Sequence, residues 1–147
     1  MKQILGAWFE CKVRYEQTQE DGTEKMVTET YVYKAVDFGE AYDKAIKNMS
    51  TFISGEFGIT AMKIAQYGEV VMQDDRTEEK YYRVKVIFIT LDEKTLKEKK
   101  TVCYYLVNAD SVEKARKYAD TILSDSMIDF VIEAVQEAKI IDVIFDD

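Results

Sequence analysis

The sequence contains one long internal repeat, and this repeat constrains the fold more than any other feature. When the chain is aligned with itself so that Lys12 lies on Lys85, matches run from the first predicted strand to the last without a net gap. Further identical pairs in this alignment include Val13 and Val86, Tyr31 and Tyr104, Asp37 and Asp110, and Phe57 and Phe130. Two copies with so long a period predict a duplicated, pseudo-twofold domain instead of a solenoid. We place the repeats at about residues 7–73 and 80–146 of one domain, 1–147, joined by a polar linker at 73–80.

Each copy has the pattern of a β-hairpin, a helix and a further strand. In the first copy, apolar and charged residues alternate over residues 9–15, which is the period of a half-buried strand. A glycine-containing turn follows, and a second strand is predicted near residues 24–35. Asp37 and Glu40 then form a capping box, which predicts the start of a helix. A third strand opens at Phe57, so the unit has the order ββαβ.

The second copy repeats this order, with the same cap predicted at Asp110-Ser111-Val112-Glu113. If the helix returns the chain, the third strand pairs antiparallel with the first and makes a split β-α-β unit. Two such units can merge into one sheet. We therefore predict an α+β fold: an internally duplicated ββαβ unit whose antiparallel, curved sheet has two helices packed on one face, with pseudo-twofold symmetry.

Composition excludes most catalytic chemistry. The chain has 20 Lys and Arg, 28 Asp and Glu and no His, which gives a net charge of −8. Without histidine, no imidazole base, no histidine-based triad and no ordinary zinc site can form. The glycines form no phosphate-binding loop, and no carboxylate pair stands out. We therefore predict that the protein is not an enzyme and has no catalytic residues, no metal and no cofactor. The acidic charge also makes duplex nucleic acid an unfavourable partner.

Targeting signals are also lacking. No apolar run approaches the length of a membrane span, and the apolar N-terminal stretch is too short for a secretory signal. Cys11 and Cys103 lie far apart, and neither has a neighbour at CxxC spacing. We expect them to be buried or half-buried thiols in a reducing compartment. The sequence therefore predicts a cytoplasmic protein without a membrane partner.

Three stretches of the chain, Trp8–Glu16, Ile53–Phe57 and Phe88–Lys94, are similar to a known family. They resemble an uncharacterised family, a domain of unknown function, of proteins of this length from gut anaerobic bacteria and their mobile elements and phages. The likeness covers nearly the whole chain. It implies a bacterial or phage cytoplasmic setting, and it brings no activity, ligand or site.

The first candidate binding surface is the charged face of the predicted sheet. It carries aromatic and basic residues in both copies, namely Trp8, Lys12 and Arg14, and Tyr81, Arg83 and Lys85. Rings and cations on an exposed antiparallel sheet are typical of proteins that bind single-stranded nucleic acid. In the alternative interpretation, the lysines pair with acids across the strands and Trp8 packs at a sheet edge.

The second candidate is a group of tyrosines on the second strand of each copy, Tyr31, Tyr33, Tyr104 and Tyr105. Tyrosine combines rigid apolar area with a polar tip, which suits interfaces. It is also a good strand former, so these residues can equally be structural.

These observations favour a non-enzymatic cytoplasmic protein that binds or regulates through a protein-interaction surface. One alternative is single-stranded nucleic-acid binding on the open sheet face. Another is the binding or sequestering of a small molecule, such as a nucleotide, by equivalent residues of the two copies. Open edge strands also leave room for a homodimer.

Overall fold

The structure is a computed structural model that describes residues 1–4, 6–74 and 78–145. Residues 75–77 of the predicted linker therefore lie outside the described chain. The described residues form nine strands and two helices: β1 (Lys2–Ile4), β2 (Trp8–Thr18), β3 (Glu24–Lys34), α1 (Phe38–Phe52), β4 (Phe57–Ala65), β5 (Tyr67–Met72), β6 (Lys80–Leu91), β7 (Glu98–Ala109), α2 (Val112–Leu123), β8 (Asp129–Ala138) and β9 (Asp142–Ile144). The α+β class is as predicted.

The chain divides into two compact units. The first unit comprises Gly6–Gln66 and Lys139–Asp147, and the second comprises Met1–Leu5 and Tyr67–Ala138. Each unit contains one hairpin, the helix that follows it and the strand after that helix. The single domain over residues 1–147 stays a prediction. Neither helix in the described part of the chain is long and apolar enough to cross a membrane.

The sheet of the first unit has the strand order β4-β2-β3-β9. Its central strand β2 runs antiparallel to both β3 and β4, while β9 is parallel to β3. The helix α1 connects β3 to β4, and these two strands flank β2. This is the split β-α-β arrangement that chain direction predicted.

The sheet of the second unit has the order β1-β5-β7-β6-β8. Here β6 is the antiparallel partner of both β7 and β8, and β5 is parallel to β7. The short strand β1 pairs antiparallel with β5 and ends the sheet. The helix α2 packs against β6, β7 and β8.

The described residues do not form the single antiparallel sheet with two helices on one face, which corrects that part of the prediction. Two mixed sheets form instead, and each carries one helix. The cause is the placement of the strands that end each repeat. Strand β5 ends the first repeat but belongs to the second unit, and β9 ends the second repeat but belongs to the first unit. The apolar residues of 70–72 and 140–145 predict that both segments are extended, but they contain no signal for which sheet edge each segment joins.

The two hairpins have matching registers, with a small shift between them. Trp8 lies opposite Lys34, whereas its counterpart Tyr81 lies opposite Asn108. Matching residues of β3 and β7 are therefore separated in the sequence by one position more than matching residues of β2 and β6. The cause is the β6–β7 connection over 92–97, which is longer by one position than the β2–β3 connection over 19–23. The uniform offset predicted from the sequence is wrong for the second strand and the helix.

The third strands return to the offset of the first strands. Ala65 pairs with Trp8 of β2, and Ala138 pairs with Tyr81 of β6. A bulge follows Lys12 in one unit and its counterpart Lys85 in the other. Such agreement is what a duplication would leave, although the duplication itself stays a prediction.

The helix caps show the same shift by one position. Asp37 caps α1, and its carboxylate accepts a hydrogen bond from the Glu40 N–H at 2.9 Å. In α2, the predicted counterpart Asp110 is not the N-cap. Ser111 is, and its hydroxyl accepts from the Lys114 N–H at 3.2 Å. Serine and aspartate are equivalent caps, so the helix begins at the structurally matching place in both units.

Each helix packs a stripe of small and apolar residues on one face of its sheet, which we call the helix face. In the first unit this core contains Cys11, Val13, Tyr33, Ala45 and Met49. In the second unit its main residues are Val84, Val86, Tyr105, Val107, Ala115, Ala119 and Leu123. These residues are nearly or fully buried, so each unit has a core of its own.

Gly68 of β5 generates a prediction about the second core. A Cβ atom on Gly68 would overlap the Sγ of Cys103. We expect Gly68→Ala to lower the free energy of unfolding by about 1–3 kcal/mol, because the two strands pack too tightly for a methyl group. In a Cys103→Ala background the same change should cost much less. Urea unfolding of the single and double variants measures this coupling.

The matched control is Gly58→Ala on β4, where a Cβ would meet no atom within 4 Å. That change should leave the urea midpoint nearly constant. An equal loss for Gly68→Ala with and without the Cys103 thiol would contradict the packing explanation.

Candidate docking surface

In the first unit, only two of the three residues of the predicted nucleic-acid surface are exposed. Lys12 and Arg14 are exposed on the face opposite the helix. Trp8 lies on that face too, but only 2% of it is exposed. Its ring is therefore not available for stacking on a base, and the expectation of an exposed aromatic there is wrong.

The corresponding residues of the second unit are either buried or bonded to other side chains. Tyr81 is buried, and the Arg83 Nε donates a hydrogen bond to the Tyr67 hydroxyl at 3.2 Å. Lys85 contacts Glu133 on the neighbouring strand at 2.9 Å, and this carboxylate raises the pKa of the lysine. The cross-strand alternative is thus the one seen for Lys85. A stacking surface with free cations is not assembled from these residues.

The four tyrosines do not form one cluster. Tyr31, Tyr33 and Tyr105 lie on the helix faces, and the Tyr33 hydroxyl donates to Asn48 of α1 at 2.8 Å. Tyr104 lies on the opposite face of its sheet and is exposed. The longer second hairpin explains this, because it makes Tyr105 the counterpart of Tyr31. Three of the four side chains thus contribute to the two cores.

An exposed apolar surface exists elsewhere in the first unit, between α1 and the edge strand β4. We call it the α1–β4 surface and define it by Phe38, Tyr42, Met62 and Ile64. Phe38, Tyr42 and Ile64 are each about half exposed, at 48%, 49% and 54%. Met62 is half-buried and packs against the core of the unit and against a smaller buried group formed by Phe9, Ala35 and Ala41. Neighbouring exposed apolar side chains of this kind are typical of an interaction site.

Local geometry brings these side chains together. The Phe38 ring packs edge-on against Phe9 of β2, with 5.0 Å between the ring centroids, and Phe9 pairs with Ile64 of β4. On the other flank of α1, Lys44 Nζ donates to a carbonyl oxygen of β3 at 2.8 Å. Since Tyr42 lies one helical turn after Phe38, it belongs to the flank nearer β4.

Strand β4 is an edge strand, since no described strand pairs with its outer side. It is nine residues long and Lys63 is its single charged residue. Edge strands are usually protected by charges, prolines or shortness. The equivalent edge strand β8 carries Asp129, Glu133 and Glu137, so it is protected where β4 is not.

The second unit has different residues at the matching positions. Val112, Arg116 and Glu137 correspond to Phe38, Tyr42 and Ile64 once the shift caused by the longer turn is included. The apolar surface is therefore a property of the first unit. A comparison of the two repeats in the sequence can show this difference, but only if the helices are aligned so that Val112 lies on Phe38.

Charges of opposite sign lie at the two ends of β4. Before its first residue, Glu16, Glu24 and Glu56 line an open cleft of about 470 Å³. Near its last residue, Lys63 is largely exposed and lies 3.6 Å from the buried carboxylate of Glu10. Among the described residues, no group of three or more acidic or thiol side chains is arranged to hold a metal ion.

Glu78 lies near the end of the predicted linker, and its side chain is largely buried. Its carboxylate accepts hydrogen bonds from the Tyr118 hydroxyl at 2.8 Å and from Lys114 at 3.4 Å. The Asn108 side chain donates to the Glu78 carbonyl at 3.0 Å. A hydrogen bond with Glu78 also lowers the pKa of Asp110. These contacts fix the chain that enters β6 against α2, which is a structural role.

The comparisons with known proteins give a family and no activity. The profile of one family, Domain of unknown function (DUF4494), matches residues 7–146. No curated protein matches the chain. No solved structure matches it either. The resemblance to an uncharacterised family is thereby confirmed, while the bacterial or phage setting stays a prediction.

Burial of the tyrosines predicts a loss of stability at alkaline pH. Burial raises the pKa of Tyr105 from 10.0 to about 12. Between these values the unfolded chain releases a proton that the folded chain keeps, so the free energy of unfolding falls as pH rises. We expect Tyr105→Phe to remove about 1 kcal/mol of the loss that the wild type shows between about pH 8 and pH 11.

Denaturant unfolding at the two pH values measures this difference. Tyr104→Phe is the control, because that side chain is exposed. A wild type whose stability does not change over this range, or identical pH profiles for wild type and Tyr105→Phe, would contradict the prediction.

Proposed function

The chain belongs to the DUF4494 family, and we propose that it is a non-enzymatic binding protein that takes up an extended, apolar protein segment on the α1–β4 surface. The segment adds as a strand to the outer edge of β4. The observation that carries this proposal is the combination of an unprotected edge strand with exposed aromatic residues on the adjacent helix flank.

Strand addition uses two kinds of interaction, and the first unit offers both. Backbone groups on the outer edge of β4 supply hydrogen bonds to any extended chain. The side chains of Phe38, Tyr42 and Ile64 then supply apolar contacts for alternate residues of that segment. Burial of these half-exposed side chains provides the favourable free energy.

Charge defines the chemistry of the segment. An antiparallel segment places its C-terminal end beside the glutamates that precede β4 and its N-terminal end beside Lys63. It should therefore be acidic at its start, apolar with alternating contacts in the middle and basic near its end. Location in the cytoplasm is part of the proposal, supported by the free thiols of Cys11 and Cys103.

A synthetic peptide tests the edge directly. The peptide EFGITAMKIA, which is residues 56–65, has the required charge pattern. We expect saturable binding when excess peptide is titrated into dilute protein and followed by calorimetry. Ile64→Lys should weaken binding about tenfold or more, because burial of an isoleucine side chain contributes about 1.5–3 kcal/mol.

The matched control is Val131→Lys, which places the same charge on the edge strand β8 at a valine that is 47% exposed. This variant should bind the peptide like the wild type. Absence of binding to the folded protein, or an equal effect of both lysine substitutions, would contradict the proposed function.

A second variant tests the helix flank. Tyr42→Arg copies the residue that the second unit has at the matching position, Arg116. Because Tyr42 is half exposed, we expect the urea midpoint to stay nearly constant while peptide affinity falls several-fold. Unchanged affinity in a folded Tyr42→Arg protein would restrict the site to the edge of β4 and would contradict the part assigned to the helix.

A further inference from the structure

We infer, on the basis of the proposed function, that the segment taken up by β4 is the β4 strand of a second copy of this chain. The two copies pair antiparallel about a twofold axis between Thr60 and Ala61, which places Phe57 opposite Ile64 and Ile59 opposite Met62. The two sheets of the first units then become one continuous sheet. Strand β4 together with the preceding Glu56 is self-complementary in charge and in apolar character, and its counterpart β8 is not.

Charge complementarity favours the antiparallel pairing. A twofold axis near Ala61 brings the start of one β4 beside the end of the other. The exposed Glu56 of each copy then lies diagonally across from the exposed Lys63 of the second copy, within reach of these long side chains, and this contact occurs twice. A parallel arrangement would instead place like charges side by side, which is unfavourable.

The helix face of β4 is also self-complementary. Phe57, Ile59, Met62 and Ile64 lie on this face, because they pair with or flank the helix-face residues of β2. In the pair of copies, the row of one strand would lie against the same row of the other. Ala61 has a small side chain, so it allows close approach at the axis.

The twofold arrangement also ends the assembly at two copies. Pairing of β4 with β4 leaves neither copy with a free β4 edge. Pairing of β4 with β8 of another copy would continue indefinitely, but β8 is protected by acids. Two of these, Glu133 and Glu137, already pair with Lys85 and Lys80. A closed dimer is therefore the arrangement that the edges favour.

Sedimentation equilibrium of the full chain tests the inference. We expect a concentration-dependent mass that approaches twice 17.1 kDa and does not exceed it. Ile64→Lys should weaken the dimer at least tenfold, and Val131→Lys should leave it unchanged.

A charge-swapped pair of variants tests the geometry. Lys63→Glu alone and Glu56→Lys alone should each lose the dimer, since each homodimer would juxtapose like charges twice. An equimolar mixture should form the mixed dimer, in which both contacts again join opposite charges. Native mass spectrometry with one variant labelled with ¹⁵N identifies it. Because Lys63 also contacts Glu10, thermal unfolding must first show that Lys63→Glu is folded.

The outcomes separate this inference from the proposed function. A protein that stays monomeric but binds the peptide would overturn the second copy as the occupant and leave the proposed function in place. A dimer that neither Ile64→Lys nor the charge variants weaken would also overturn the inference. A mass above two copies would overturn the twofold axis. A monomer that does not bind the peptide would overturn both.

Discussion

The parallel pairing of β5 with β7 and of β9 with β3 is the constraint on which the rest of the structure depends. Each pairing adds the strand that ends one repeat to a sheet whose hairpin comes from the other repeat. In the first unit, β9 covers Tyr31–Tyr33 on the outer side of β3, whereas β4 has no described strand along any of its outer side. If β5 had stayed beside its own hairpin, the edges left open would be different ones. The location of the candidate docking surface follows from this exchange.

Local patterns in the sequence predicted the elements well. Alternation located β2 and β6, and Asp37 marked the start of α1 because an N-cap is a local interaction. The orientation of Tyr104 could not be predicted in the same way. It depends on one additional residue in the turn between β6 and β7, and a shift by one position moves a side chain to the other face of the sheet. The burial of Trp8 could not be predicted either. Alternation shows which residues share a face of a strand, but it does not show which face is covered.

The α1–β4 surface was not predicted from the sequence, for a related reason. Tyr42 fits the apolar stripe of α1, so the sequence pattern predicts that it is buried. The apolar stripe is wider, however, than the row of residues that are buried. Ala41, Ala45 and Met49 alone are fully buried. In α2 the matching flank carries Arg116, which shows that the fold does not require an apolar residue there. The aromatic side chain of Tyr42 is therefore a feature that the first unit does not share with the second.

The pairing of β3 with β9 also has a consequence for the order in which the protein is made. Tyr31 and Asp142 are neighbours in the sheet, although one belongs to the first hairpin and the other to the last strand of the chain. A ribosome delivers β3 long before it delivers β9, so the outer edge of β3 is uncovered during most of translation. Contacts with such wide sequence separation form slowly. Until β9 is made, Tyr31–Tyr33 of β3 add to the backbone that the first unit leaves unpaired, and its exposure to aggregation is greatest before synthesis is complete.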